Sequence, residues 1–260
     1  MPKLISWNIA GRVKARSAQL EWIASEQADV LALQEVAGAS DLRQGLSALG
    51  FKHFASTKPT DGRKKLVAIA SREPFRVISH FAVPHPERSI SSRILLRSKE
   101  VELHCVHVPP GSSYGRTKIE FLEAVIRGLL TRERPQLLVG DFNCPQFMEP
   151  VVVTWAQRRG KDGVWQVQKT CEGVDGSRWD AAERSILCPR ADMTDAFRFL
   201  NGVAIDTYSA KAKGGPNCFD HMIASFSIMP STIRLATSVP AAKLSDHAAL
   251  VAEWPVAGES

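Results

Sequence analysis

Short apolar runs recur along this chain, each too brief for a helix, and each stops at polar residues that carry chemistry. Residues 4–7 close on Asn8, residues 30–33 on Gln34 and Glu35, the run before PPG on His107, and LLVG at 137–140 on Asp141 and Asn143. Between them lie stretches of helical periodicity. Ser17 is a plausible N-cap for a helix whose Leu20, Ile23 and Ala24 share a face, a second helix starts at Ser40, and residues 117–130 carry Ile119, Leu122, Val125, Ile126 and Leu129 on one side. Strands alternating with helices restrict the chain to an α/β architecture.

Other strands pair differently. Residues 51–56 and 66–71 read as antiparallel strands about the charged turn TDGRKK, and 94–97 with 101–106 as a second pair, so the sheets are expected to be mixed. From Cys144 to about Met193 the pattern breaks. VVVTWAQRRGKDGVWQVQ predicts a hairpin and SRWDAAERSIL a short helix, read as an insertion at about 145–192 within a single domain spanning 1–260. A helix over 194–200 and strands over 219–225 and 248–254 complete the reading.

A chain of 260 residues with 44% hydrophobic content can bury a sizeable core. Lys plus Arg at 33 against Asp plus Glu at 27 leaves a net charge of +6, a mild bias toward anionic partners such as nucleic acid. The five cysteines form no CxxC pair, so neither a disulfide framework nor a zinc knuckle is indicated and a reducing, cytoplasmic setting is expected. The opening MPKLISWNIAG reads as a strand at once, so no leader peptide is expected, and with no apolar run of membrane-spanning length no membrane span is expected. The oligomeric state is not legible.

Gly, Asp and Asn after an apolar run are, taken alone, ordinary turn residues. Six such strand ends, counting Asp220 at the start of 219–225 and Asp246-His247 before 248–254, point instead to a shared cleft, because ligands bind where the strands of an α/β sheet stop. The segments SWNIAG, LALQEV, VAIASREPF, VHVPPG, LVGDFN, FDHMIAS and LSDHAAL, in this order, resemble the endonuclease/exonuclease/phosphatase superfamily, and they cover nearly the whole chain. The resemblance implies a four-layer α/β sandwich, two mixed β-sheets face to face with helices outside. It also implies divalent-metal-dependent hydrolysis of a phosphate ester, for which an aligned water and positive charge on the phosphate are required.

By that resemblance Glu35 is the ligand for Mg²⁺ or Mn²⁺, with Asp246 as a second candidate, in keeping with the preference of hard cations for carboxylate oxygen. Asp141 is the base or orienter of the attacking water, with Asn8 and Asn143 as amides that hold it or the phosphate. His247 is a phosphate-facing imidazole oriented by Asp220, and His107 stabilises the phosphate or protonates the leaving oxygen. His53, His80, His85, His104 and His221 receive no catalytic role. Ala10, His107, Pro110 and Asn217 depart from the apurinic endonuclease pattern, and a His at 107 looks more like the deoxyribonuclease I side of the superfamily or its bacterial members.

The substrate expected first is nucleic acid, making the chain a nuclease or phosphodiesterase. A phosphatase or phosphodiesterase acting on a small molecule, a lipid headgroup or a protein–DNA adduct is the alternative, and a catalytically dead binding protein is disfavoured by the intact set of site residues. Basic loops carrying Arg12, Lys14 and Arg16, then Arg63, Lys64 and Lys65, then Arg116 and Lys118, then Lys211 and Lys213 would line a cationic track, unless they are merely solvated. Trp165 in the insertion could stack on a base or sit in the core.

Overall fold

The structure is a computed structural model that describes residues 2–60, 62, 65–144, 146–148, 151–202, 210–212 and 215–255. Two six-stranded sheets organise it. The first takes β1 (Lys3–Asn8), β2 (Val30–Val36), β3 (His53–Ser56) and β4 (Leu66–Ser71), and it is completed late in the chain by β19 (Thr232–Ala236) and β20 (Ala249–Glu253), in the order β19-β20-β1-β2-β4-β3. The second takes β5 (Arg76–Val77), β6 (Ser89–Leu96), β7 (Lys99–His107), β8 (Gln136–Asp141), β15 (Met193–Asp195) and β18 (Asp220–Ser225), in the order β15-β18-β8-β7-β6-β5. β1 runs parallel to β2 and β7 parallel to β8, while the other neighbours are antiparallel, so both sheets are mixed as expected.

Strand alternation builds the layers. Leu4, Val30, Ala32, Val67 and Ile69 of one sheet meet Val101, Leu103, Cys105, Leu137, Val139 and Met222 of the other in a shared core. The opposite parity, Ile5, Trp7, Leu31 and Leu33, packs outward against Ile23 of α1 (Arg16–Glu26) and Leu42 and Leu46 of α2 (Ala39–Ala48). On the far side Val106, Leu138 and Ile223 meet Ile119, Leu122 and Val125 of α4 (Arg116–Leu130), which follows the short α3 (Gly111–Tyr114). Helix, sheet, sheet and helix make four layers, and none of the helices among the described residues is long and apolar enough to cross a membrane.

The long segment between β8 and β15 is richer than its sequence pattern suggested. The expected hairpin is β11 (Gln157–Arg159) with β12 (Trp165–Val167), and the expected helix is α5 (Gly176–Ser185). Two further hairpins accompany them: β9 (Gln146–Met148) with β10 (Val151–Val153), and β13 (Thr170–Cys171) with β14 (Val174–Asp175). At two or three residues each, these strands are too short to leave an alternation in the sequence. Trp179 and Ala182 of α5 join the same core as α4, which anchors the segment on the outer layer.

Three readings are corrected. α1 starts at Arg16 after Ala15, which provides no side-chain cap, and Ser17 lies inside the helix. The helix expected over 194–200 is shorter, because Met193–Asp195 pairs with β18 as an edge strand before α6 (Ala196–Asn201) begins under an Asp195 cap. β19 was missed because Thr232 and Arg234 make it look like a loop; at a sheet edge one polar face is tolerated. The remaining elements are β16 (Ala210–Ala212) paired with β17 (Gly215–Asn217), and α7 (Ser238–Ala241).

Gly140 sets the approach of β7 to β8. Its φ is +146°, and a Cβ there would fall 1.9 Å from the carbonyl oxygen of Val106, its register partner. Gly140→Ala must part the two parallel strands that carry His107 and Asp141, so its unfolding free energy is expected to drop by roughly 3 kcal/mol or more, the upper end of single-residue effects. Denaturant unfolding measures it, and a wild-type midpoint would contradict the close approach.

Candidate functional site

Period-two alternation carries the inner-face row of each strand to the same end of the sandwich. Leu4 and Ser6 lead to Asn8, Leu103 and Cys105 to His107, Leu137 and Val139 to Asp141, and Met222 leads back to Asp220. Register closes the group: His107 is the partner of Asp141 across the β7–β8 pair, and Asp220 is its partner across β18–β8. The loop before β20 brings His247, held by Ser245, whose hydroxyl donates to the Asn8 carbonyl at 2.6 Å and accepts the His247 N–H at 3.1 Å.

Asp141 is the hub. Oδ1 accepts the backbone N–H of Asn143 at 2.8 Å, and Oδ2 accepts the Asn8 side-chain amide at 2.9 Å. The same Oδ2 lies 3.7 Å from His107 Nε2 and 3.8 Å from His247 Nε2. Burial pushes the Asp141 carboxyl up to about 6 and adjacent Asp220 adds to the rise, while His247, the Asn143 N–H and the Asn8 amide pull the other way. The side-chain amide of Asn143 donates instead to the Val108 carbonyl at 2.8 Å. Asn8 therefore takes the carboxylate-holding role that the sequence suggested for either amide.

The two histidines stand in opposite environments. His247 Nδ1 meets Asp220 Oδ2 at 2.8 Å; burial opposes its charge, but Asp220 and Asp141 outweigh it and raise the imidazole to about 10. His107 is held well below the usual imidazole value by burial, with Arg88, His247 and Lys65 adding repulsion. The guanidinium of Arg88 reaches His107 Nδ1 at 3.0 Å and donates to the Tyr114 hydroxyl at 3.2 Å. Neither Arg88 nor Tyr114 was legible as a site residue, because nothing in PERSIS or SSYG marks a strand end with a paired acceptor.

Glu35 stands at a bulge. The β2–β4 register slips between Leu33 and Val36, and Glu35 adopts φ 52°, a left-handed conformation that a glutamate enters at a cost of roughly 1–3 kcal/mol. Its carboxylate sits 3.6 Å from His107 Nε2 and is ion-paired with Lys65. Ala10 at φ 56° and Asn143 at φ 52° show the same strain just past β1 and β8, so three strand exits around one cluster are held out of relaxed geometry.

Other expectations separate. Lys118 is corrected: it is fully enclosed and ion-paired with Glu183 at 2.6 Å, joining α4 to α5, so it cannot meet a substrate. Arg16 is likewise buried, donating to the Ala37 carbonyl at 2.7 Å. Asp246 stands at the rim of the cluster: its half-exposed carboxylate adds to the rise of His247 and lies 3.8 Å from Arg12. Arg116 is exposed at the start of α4 and bonded to Glu120 at 2.7 Å, and Trp165 is half-buried opposite Arg159 on the β11–β12 hairpin; neither is gathered with the cluster. Arg63, Lys64 and Lys213 lie outside the described residues, as does the side chain of Lys211. His221, bonded to Asp195 at 2.7 Å, and His104, bonded through Nδ1 to Ser91 at 2.9 Å, are buried core histidines.

A buried carboxylate held beside a cationic imidazole at the strand ends of an α/β sandwich is equipment for hydrolysing phosphoric esters. The profile of the Endonuclease/Exonuclease/phosphatase family matches residues 5–247, and the chain belongs to that family. Solved structures share the fold at low identity. An AP endonuclease from Archaeoglobus fulgidus superposes with a TM-score of 0.74 at 20% identity, covering 98% of this chain and 100% of the other. The 3′ phosphatase NExo from Neisseria, bound to a product DNA hairpin, gives 0.69 at 19% identity over 98% and 100%. A humanized D. rerio TDP2 gives 0.68 at 15% identity over 96% and 97%.

The His247 environment has a pH consequence of definite sign. Its proton is bound more tightly in the fold, at about 10, than at the ordinary 6.5, so the stabilisation is complete below pH 6.5 and lost as pH rises through 10. Urea unfolding of wild type and His247→Gln should differ most near pH 6 and converge by about pH 10. A gap constant across that window would contradict the Asp220–His247 ion pair.

Proposed function

We propose that the chain is a divalent-metal-dependent phosphodiesterase acting on nucleic-acid backbones, a nuclease. The observation that carries this reading is the enclosed Asp141 carboxylate, fixed by two donors, with the Nε2 atoms of two histidines within 3.8 Å of one of its oxygens. A phosphodiester is anionic and a poor electrophile, and this arrangement offers a base for water together with donors for the phosphate oxygens.

Asp141, with its carboxyl at about 6, is largely ionised at neutral pH and takes the proton of the attacking water. Asn8 and the Asn143 N–H keep its two oxygens in place, which limits reorganisation as the proton arrives. The His247 imidazolium, backed by Asp220, balances charge building on the phosphoryl oxygens. His107 Nε2 faces the same space from the second sheet.

For the metal, two donor sets compete. Asp141, Asp220 and His247 present ligand atoms within 4.8 Å of one another, but His247 is held cationic by Asp220, and an imidazolium repels a cation. Glu35 fits better: its carboxylate already accepts a mobile cation, the ammonium of half-exposed Lys65, in a position a hard divalent ion could take. Glu35 would hold Mg²⁺ or Mn²⁺, which when bound supplies Lewis-acid polarisation of a phosphoryl oxygen. Asp246, half-exposed and within electrostatic reach of His247, is the second carboxylate candidate.

The nucleic-acid assignment draws support from the family, from a net charge of +6, and from neighbours whose descriptions include an AP endonuclease and a phosphatase bound to DNA. None of the five cysteines is paired in a disulfide, in keeping with a reducing, cytoplasmic setting. Incubation with Mg²⁺ or Mn²⁺ and plasmid, single-stranded DNA, RNA and p-nitrophenyl phosphate esters tests the substrate class. Cleavage of polymers over small esters is the expected result, and the reverse would select the small-molecule alternative.

Two variants test the roles. Asp141→Asn keeps volume but cannot take a proton, so turnover should fall by about two to four powers of ten with affinity held or tightened. A folded variant with wild-type turnover would remove Asp141 from the mechanism. Glu35→Gln should abolish Mg²⁺ binding in calorimetry while leaving the melting midpoint in EDTA near wild type. Unchanged affinity would move the metal to another carboxylate.

A further inference from the structure

His107 and His247 aim Nε2 at the same oxygen of Asp141, yet the groups behind them differ in kind. Behind His247 stands a carboxylate, Asp220, which can only accept, so Nδ1 carries a proton. Behind His107 stands Arg88, one residue before β6. Its NH1 lies 3.0 Å from His107 Nδ1 and 3.4 Å from the His107 carbonyl oxygen. Its NH2 donates to the Tyr114 hydroxyl at 3.2 Å, and the guanidinium lies over the Tyr114 ring, 5.1 Å from the centroid. A guanidinium has no acceptor, so the Nδ1 it donates to must keep its lone pair and the ring proton must reside on Nε2. Nε2 in turn faces two acceptors, Glu35 Oε1 at 3.6 Å and Asp141 Oδ2 at 3.7 Å.

We propose that Arg88 is a positioning residue that locks His107 as its neutral, Nε2-protonated tautomer, so that His107 acts as a fixed hydrogen-bond donor to the phosphate and not as the acid that protonates the leaving oxygen. The phosphate half of this statement rests on the function proposed above; the tautomer half does not. Tyr114 fixes the other end of the guanidinium, so the fork is held from two sides and His107 cannot rotate without leaving a buried donor unsatisfied. A neutral imidazole N–H is far too weak an acid to release its proton near neutral pH, so the proton for the leaving oxygen comes from another group or from solvent. The contrast with His247 gives the site one charged and one uncharged donor beside a single carboxylate oxygen.

Long-range ¹H–¹⁵N spectra of the ¹⁵N-histidine-labelled chain at pH 7 in EDTA, with no substrate, read the tautomer directly. In wild type, Nδ1 of His107 is expected to be pyridine-like and Nε2 pyrrole-like, and Arg88→Met should shift His107 toward the Nδ1-protonated or doubly protonated form. On whichever ester wild type cleaves, Arg88→Met should lower kcat by about tenfold to hundredfold with KM little changed, the usual size of losing an orienting partner of a functional imidazole. A pyrrole-like or doubly protonated Nδ1 in wild type overturns the proposal, as does an Arg88→Met spectrum identical to wild type. If Arg88→Met does not fold, the wild-type spectrum still decides. Because that spectrum involves no substrate, failure of the nuclease reading leaves the tautomer result standing.

Discussion

The removal of the Asp141 carboxylate from water governs the reactive end of this molecule. A buried carboxylate is costly unless donors and a counter-charge meet it. Here Asn8 comes from the first sheet, the Asn143 N–H from the strand exit, and the His247 imidazolium from the loop before β20. Asp220, directly across from Asp141 in the β18–β8 pairing, would by itself add like-charge repulsion; His247 sits against both carboxylates and relieves it. The same contacts that make the charge tolerable also bind the two sheets together at this end, so site and fold are parts of one electrostatic arrangement.

Strain accompanies that arrangement. Ala10, Glu35 and Asn143 all have positive φ where their strands leave the core, and none of the three is glycine. Such conformations persist when surrounding bonds over-determine them. The Ala10 N–H donates to the Asn8 side chain at 2.9 Å and the Asn143 N–H to Asp141, so the unusual turns are what aim backbone donors at the site. The outer layer supports this from behind: buried Lys118 bridges Glu183 and the Asn143 carbonyl, and Glu183 also accepts the Trp155 N–H at 2.7 Å, tying the segment after β8 to the loop that carries Asn143.

Much of this was legible along the chain. Asn8, Glu35, His107, Asp141, Asp220 and His247 announce themselves because each follows or precedes an apolar run, and strand ends are local events in sequence. Lys118 misled because its neighbours Arg116 and Thr117 suggest a solvated helix start, whereas a partner 65 positions further on, Glu183, encloses it. Asp246, next to His247 before β20, is half-exposed and adds to the field that holds the imidazole cationic. Arg88 and Tyr114 left no signal, since their value lies in a contact made across 26 residues with no periodicity to mark it.

Sequence by itself determined the α/β alternation, the mixed character of the sheets, the family, and which acidic and imidazole side chains stand at strand ends, because period two and period 3.6 are imposed residue by residue. Tertiary structure alone decided which of those side chains share a carboxylate, which cations are buried and spent on ion pairs, and which histidine is charged. These depend on distances between residues remote in the chain and on the loss of water around them, and neither quantity is carried by any local stretch of sequence.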